Sequence, residues 1–328
     1  MLLNSIAIFA GFILLIWSAD RFITGAAATA RNFDVPPLII GLTIVGFGTS
    51  APEMMVAGFA SYNGSPAMAI GNALGSNIAN ITLVLGVAAL IVPLDVHSRI
   101  LKKELPILLL ATLMVLALLR DSTLDRFDGF VLISLLCLLM WWITRQGIRN
   151  QSDDALADEY REELSGEMST SHALFWLIAG LVLLTISSKV LVWGAVNVAT
   201  DLGISELIIG LTIIAIGTSL PELAASISGA LKNEHDIAIG NVVGSNLFNT
   251  LGVLAIPGLI SPSPLVEGVL ERDLPVVFIV TIALFIMAYG FRGRGRINRF
   301  EGSLLLSAFI AYQLLLVFTV KSTEFLIN

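Results

Sequence analysis

Residues 38–53 read LIIGLTIVGFGTSAPE and residues 207–222 read LIIGLTIIAIGTSLPE, identical at 12 of 16 positions. A second phrase follows each copy in step, IGNALGSNIAN over 70–80 and IGNVVGSNLFN over 239–249, and both pairs are offset by 169 residues. Each copy sets a glutamate, Glu53 or Glu222, behind a Gly-Thr-Ser-x-Pro run inside a long apolar stretch. An acid in that setting is costly to bury, so it marks a functional site by default.

The rest of the chain defines the setting. Of 328 residues, 56% are hydrophobic and 13% charged, with a mean hydropathy of +0.89, which excludes a water-soluble globule. Several uncharged runs exceed the ~18–20 residues that cross a bilayer as a helix. They are continuous, whereas barrel strands alternate every second residue. Ten spans are predicted: 2–28, 37–60, 66–92, 104–119 and 128–144, then 173–199, 206–230, 236–260, 273–290 and 300–320. Gly11 to Ala26 is echoed by Gly180 to Ala195, so the first apolar segment reads as a transmembrane helix and not as a signal peptide. The single cysteine, Cys137, lies among leucines and supports neither a disulfide nor a thiolate site. The net charge of -7 sits mostly in loops, and no nucleic-acid partner is expected.

The internal match runs on. Glu104-Leu105-Pro106 pairs with Asp273-Leu274-Pro275 at an offset of 169, and Arg126-Phe127-Asp128-Gly129 with Arg299-Phe300-Glu301-Gly302 at 173. The expected fold is therefore an all-α polytopic membrane protein with ten transmembrane helices in two five-helix repeats. The repeats cover 1–144 and 173–328, joined by an acidic cytoplasmic linker over 145–172. Five is odd, so the second repeat starts from the opposite side and the topology is inverted. Loop lysines and arginines divide 12 to 4 between the two sides, which places both termini outside the cytoplasm.

The doubled site is rich in hard oxygens. Pro52 and Pro221 are expected to interrupt their helices and free carbonyls upstream, around Gly46 and Ala215. In a bilayer such backbone is tolerated only where it is buried or lines a wet cavity. The hydroxyls of Thr49, Ser50, Thr218 and Ser219 join these carbonyls and the two carboxylates. Ser76 and Asn80 lie one turn apart on a helix face, and Ser245 and Asn249 repeat the arrangement. All-oxygen ligation with two acids suits Ca²⁺, which accepts about 6–8 oxygens in a flexible shell. Na⁺ would accept the same neutral oxygens, Mg²⁺ demands a tighter octahedron, and zinc or copper would call for His or Cys. Inverted repeats whose interrupted helices meet at mid-membrane are the architecture of secondary transporters.

The pairing of GTSAPE and GTSLPE with GNALGSN and GNVVGSN resembles the two α-repeats of the calcium/cation antiporter superfamily, in particular its bacterial and archaeal sodium/calcium exchangers. The resemblance covers essentially all ten spans. It implies electrogenic exchange of Na⁺ for Ca²⁺ across the plasma membrane (the bacterial inner membrane), with alternating access by sliding of the first helix of each half. It also implies a ligand set: Glu53, Thr49, Ser50, Ser76 and Asn80 from the first repeat, and Glu222, Thr218, Ser219, Ser245 and Asn249 from the second. Backbone oxygens of Gly46 and Ala215 complete it. Some exchangers of this family carry Asp where this chain has Asn249, which leaves Glu53 and Glu222 as the only acids of the core.

The expected activity is thus Ca²⁺/Na⁺ antiport, with Ca²⁺/H⁺ antiport as the alternative. A channel ranks lower, because paired glutamates bind too tightly for fast conduction. An enzyme is not expected: no His-Glu-x-x-His or serine–histidine arrangement is present. Ca²⁺ and Na⁺ are cargo, and no resident cofactor is expected. The sequence leaves the oligomeric state open and is compatible with a monomer.

Overall fold

The computed structural model describes residues 2–96, 101–149, 168–202, 215–289 and 295–327. Residues 207–214 of the second repeated phrase, residues 150–167 of the linker and the loop arginines Arg99, Arg292 and Arg294 lie outside the described residues. The helices are α1 (Leu2–Asn32), α2 (Pro37–Tyr62), α3 (Pro66–Ile91), α4 (Leu101–Leu118), α5 (Arg126–Arg149) and α6 (Thr170–Asp201). They continue with α7 (Ala215–Thr218), α8 (Leu220–Leu231), α9 (His235–Ile260), α10 (Leu274–Tyr289) and α11 (Arg299–Ile327).

Among the described residues, seven of these helices are long and apolar enough to cross a membrane: α1, α2, α3, α5, α6, α9 and α11. Two of the other expected spans miss that standard for local reasons. α4 carries Lys102, Lys103 and Glu104 in its first turn, and α10 has 16 described residues. A third, 206–230, is described only from Ala215 onward, as α7 and α8.

Helix boundaries follow turn chemistry. Pro37 and Pro66 sit in the first turns of α2 and α3, where a missing backbone N–H costs nothing. The turns after α2 and after α8 each need one left-handed residue, supplied by Gly64 (φ 77°) and by its repeat equivalent Asn233 (φ 61°). Glycine and asparagine are the residues that adopt this conformation at least cost.

The centre of the molecule is α3 and α9, the most buried of the apolar helices, while α1 and α6 are much more exposed and pack chiefly on each other. Their seam is symmetric. Gly11 lies against Leu191 while its equivalent Gly180 lies against Phe22; Gly25 lies against Leu177 while its equivalent Gly194 lies against Asn4 and Ile8. A Cβ at any of the four would collide with the facing helix. Early residues of one helix meet late residues of the other, so the two run antiparallel.

Among the described residues, π-helical turns fall at Val269–Asp273, leading into α10, and inside three helices: Gly41–Val45 in α2, Asn80–Val84 in α3 and Phe248–Val253 in α9. The last two follow the two GSN phrases, and the carbonyls of Asn80 and Asn249 each accept the bond from five residues on, from Leu85 and Leu254. Such turns are frequent at functional sites because they re-aim carbonyls and side chains.

Two expectations need correction. Pro52 does not interrupt its helix: α2 continues through it, with the irregularity moved upstream to Gly41–Val45. Only the second copy is broken, at Ser219 between α7 and α8. The chain is also not purely helical. Strand β1 (Leu94–Val96) pairs antiparallel with β4 (Gly295–Ile297), and β2 (Thr123–Leu124) with β3 (Ser263–Pro264). These short connectors satisfy one another's backbone groups, and a cross-strand ion pair of Arg296 Nε to Asp95 Oδ1 at 3.2 Å braces the first pair.

Candidate cation site

Glu53 on α2 and Glu222 on α8 are fully buried. Even so, none of the four carboxylate oxygens closes a hydrogen bond of ordinary geometry. Buried polar atoms are satisfied in the great majority of cases, and an unpaired buried carboxylate is among the costliest exceptions.

The doubled phrases hold further such atoms. The hydroxyls of Ser50 and Ser219 and the whole amides of Asn80 and Asn249 are also buried without hydrogen-bond partners. These six side chains form three repeat-equivalent pairs: 50 with 219, 53 with 222, and 80 with 249. They come from α2, α3, α8, α9 and the break before α8.

The remaining candidates behave differently. Thr49 Oγ1 lies 3.1 Å from Val45 O, 3.0 Å from Asn241 Oδ1 and 3.1 Å from Ser245 Oγ. Ser245 Oγ also reaches Gly46 O at 3.4 Å. Thr49, Ser245 and Gly46 therefore form a hydrogen-bonded cluster across the two repeats. Ser76 is buried, and Thr218 is half-buried. Ala215 opens α7, which places its carbonyl at the start of the short helix before the break. Gly46 meets the backbone of Gly244 and Ser245 so closely that a Cβ there would sit at 3.0 Å.

Several polar residues of the site were not singled out in the sequence. Asn72 Nδ2 donates to Glu53 O, and its equivalent Asn241 Nδ2 donates to Glu222 O, each at 3.3 Å. Asn241 Nδ2 also donates to Ser226 Oγ at 3.0 Å. Ser188 on α6 donates to Gly217 O, just before the break, at 2.9 Å. Behind the site, Asn77 Nδ2 donates to Thr250 Oγ1 at 2.9 Å and Asn246 Nδ2 to Asn77 O at 3.4 Å, joining α3 to α9. The four asparagines stood in the duplicated phrases, identical in both copies, so their repetition was the available signal.

Chemically, the site offers carboxylates, amide oxygens, hydroxyls and carbonyls. Among the described residues no group of three or more His, Cys, Asp or Glu side chains comes together. Two acids and many neutral oxygens suit a hard cation that carries at most two charges.

Comparison with known proteins gives the chain's relatives. A family model described as sodium/calcium exchanger protein matches residues 4–145 and 172–318. The chain is 48% identical over 320 residues to the putative antiporter CaxA of Alkalimonas amylolytica, across 96% of this chain and 99% of that protein. It is 40% identical over 314 residues to the inner membrane protein YrbG of Escherichia coli strain K12, across 95% and 96%. Among solved structures, the sodium-calcium exchanger NCX_Mj matches with a TM-score of 0.81 at 34% identity, covering 94% of this chain and 97% of that one. That exchanger's structures include soaks in sodium with calcium and in sodium with strontium.

Proposed function

The chain belongs to the sodium/calcium exchanger family, and we propose that it is a secondary antiporter exchanging Ca²⁺ for Na⁺ across the plasma membrane. The observation that carries this is the buried pair Glu53 and Glu222 with their unpartnered serine and asparagine neighbours. Two carboxylates neutralise one Ca²⁺, which offsets the cost of burying either charge alone. Na⁺ takes the same carboxylates together with neutral oxygens of Thr49, Ser50, Ser76, Asn80, Thr218, Ser219, Ser245 and Asn249, and the carbonyls of Gly46 and Ala215. Ions of both kinds therefore compete for one ligand set, and occupation by one expels the other.

Alternating access fits ten spans arranged as two inverted repeats. The antiparallel α1–α6 seam supports that topology. So do the strand pairs: at the offsets of the sequence repeat, β1 corresponds to β3 and β2 to β4, so exchanging the halves maps the β1–β4 pair onto the β3–β2 pair. The exposed α1–α6 pair moves against the buried α3–α9 centre, exposing the site to each side in turn. Both termini lie outside the cytoplasm, and a reporter fused after Asn328 is active only on that side. Every ligand comes from one chain, so a monomer is the transporting unit.

The test is ⁴⁵Ca²⁺ uptake into proteoliposomes driven by an outward Na⁺ gradient, and separately by an outward H⁺ gradient. Uptake that follows Na⁺ is expected. Uptake that follows only H⁺ would replace Na⁺ as the counter-ion, and uptake indifferent to both gradients would mean a channel.

A further inference from the structure

An unanswered positive charge lies on the exposed α1–α6 seam. Arg21 of α1 stacks on two tryptophans, its guanidinium carbon 5.7 Å from the ring centre of Trp17 and 5.2 Å from that of Trp176 on α6. The two indoles meet edge to face at 5.7 Å, and Phe175 joins Trp176 at 5.2 Å. Arg21 Nε is buried and has no hydrogen-bond partner, while the residue as a whole keeps part of its surface. Among the described residues no carboxylate comes within ion-pair distance of it. Asp20, its neighbour in the chain, is committed to Lys232.

A charge inside an apolar span is costly and ordinarily faces a partner. Stacking on two indoles offsets part of that cost, but it uses only the faces of the guanidinium. The N–H edge, which grips phosphate with two parallel bonds, is left over. The surroundings indicate where such an anion comes from. Trp17 and Phe175 are exposed, and tryptophans that face lipid gather at the level of the headgroups. The Asp20–Lys232 pair, reaching from α1 to the turn after α8, has both side chains partly exposed and marks the same level as polar.

The repeat confines this cluster to one side of the membrane. At the offset of 169, Val190 stands for Arg21, Ile186 for Trp17 and Ala7 for Trp176. In inverted repeats those apolar equivalents lie toward the opposite face. The cluster therefore belongs to the side of the α8–α9 turn, which the loop charges place in the cytoplasm, where anionic lipids are concentrated.

We propose that Arg21, Trp17 and Trp176 form a binding site for the phosphate headgroup of an anionic phospholipid of the cytoplasmic leaflet, seated on the seam between α1 and α6. The choice of leaflet rests on the orientation given above; the binding does not.

The test is tryptophan quenching by phospholipids with brominated acyl chains, phosphatidylglycerol against phosphatidylcholine, in vesicles holding the full chain. Trp141→Phe, Trp142→Phe and Trp193→Phe leave Trp17 and Trp176 as the reporters. Phosphatidylglycerol should be favoured about fivefold, the scale of one basic residue at an anionic surface, and Arg21→Gln should bring the ratio to about one. Arg145, an exposed arginine over Trp141 on α5, is the control, and Arg145→Gln should leave the ratio unchanged. Where Arg21→Gln does not insert, Arg21→Lys takes its place; it keeps the charge but loses the flat edge, and should lower the ratio about twofold. Inorganic phosphate in the buffer should not relieve the quenching. Absence of a preference in the parent protein, an unchanged ratio at Arg21, an equal loss in Arg145→Gln, or relief by inorganic phosphate would overturn the inference. None of these reads ion transport, so failure here leaves the exchange reading standing, and failure of Na⁺-driven uptake leaves this site standing.

Discussion

Gly48-Thr49-Ser50-Ala51-Pro52-Glu53 and Gly217-Thr218-Ser219-Leu220-Pro221-Glu222 differ at one position, yet they fold differently. The first runs as continuous helix through Pro52, and the second breaks at Ser219 (φ -89°, ψ 4°), where Pro221 falls in the first turn of α8. The local sequence permits both conformations, so the surroundings choose. Around the first copy, α2 is pressed onto α9: a Cβ on Gly244 would overlap the Leu42 carbonyl, and one on Gly240 would sit 3.1 Å from Leu38 O. A duplicated sequence thus holds its two copies in two conformations at once, one continuous through its proline and one broken before it.

The largest expected effect tests what the copies share. Glu53→Gln and Glu222→Gln should each abolish Na⁺-driven ⁴⁵Ca²⁺ uptake while the protein still inserts. Near-normal uptake in either would end the assignment of a joint site. Next comes the packing around the continuous copy. Gly244→Ala should destabilise by ~3 kcal/mol or more in thermal unfolding, as overpacking against backbone does, and an unchanged melt would mean that α2 is not held against α9 there.

Smaller effects probe the prolines and the ion pairs. Pro52→Ala restores an interior helical hydrogen bond and should raise stability by about 1–3 kcal/mol. Pro221→Ala, in a first turn, should change it by less than ~0.5 kcal/mol, and equal responses would mean the break at Ser219 is not set by its surroundings. Last are two ion pairs on one face, Asp20 with Lys232 and Arg31 with Glu234 at 3.1 Å. The equivalent positions are Lys189 with Asn63 and Thr200 with Ser65, which cannot form such pairs. All four charged side chains are partly exposed, so Lys232→Gln should cost ~1 kcal/mol or less, with the loss disappearing at high salt.

Much of the site was legible because duplication marks residues twice. Glu53, Glu222 and the serines and asparagines at 50, 219, 80 and 249 could be read from repetition and residue chemistry, and all of them are buried without protein partners. Asn72 and Asn241 were equally repeated but were passed over. Their importance lies in whom they bond, and Asn241 meets Thr49 across 192 residues of chain. Pro52 misled for the opposite reason. The proline rule describes an isolated helix, whereas the π turn at Gly41–Val45 and the packing on α9 are properties of the assembly.

The sequence by itself determined that this is a helical membrane chain, that it is doubled, and that oxygen-bearing residues flank two acids. Those conclusions rest on transfer energies and residue chemistry, which belong to each residue wherever it sits. Only the tertiary structure decided which copy stays helical, which hydroxyls are already hydrogen-bonded, and which amide links Thr49 to Glu222. Those depend on distances between helices far apart in the chain, and two nearly identical segments can settle differently when their neighbours differ.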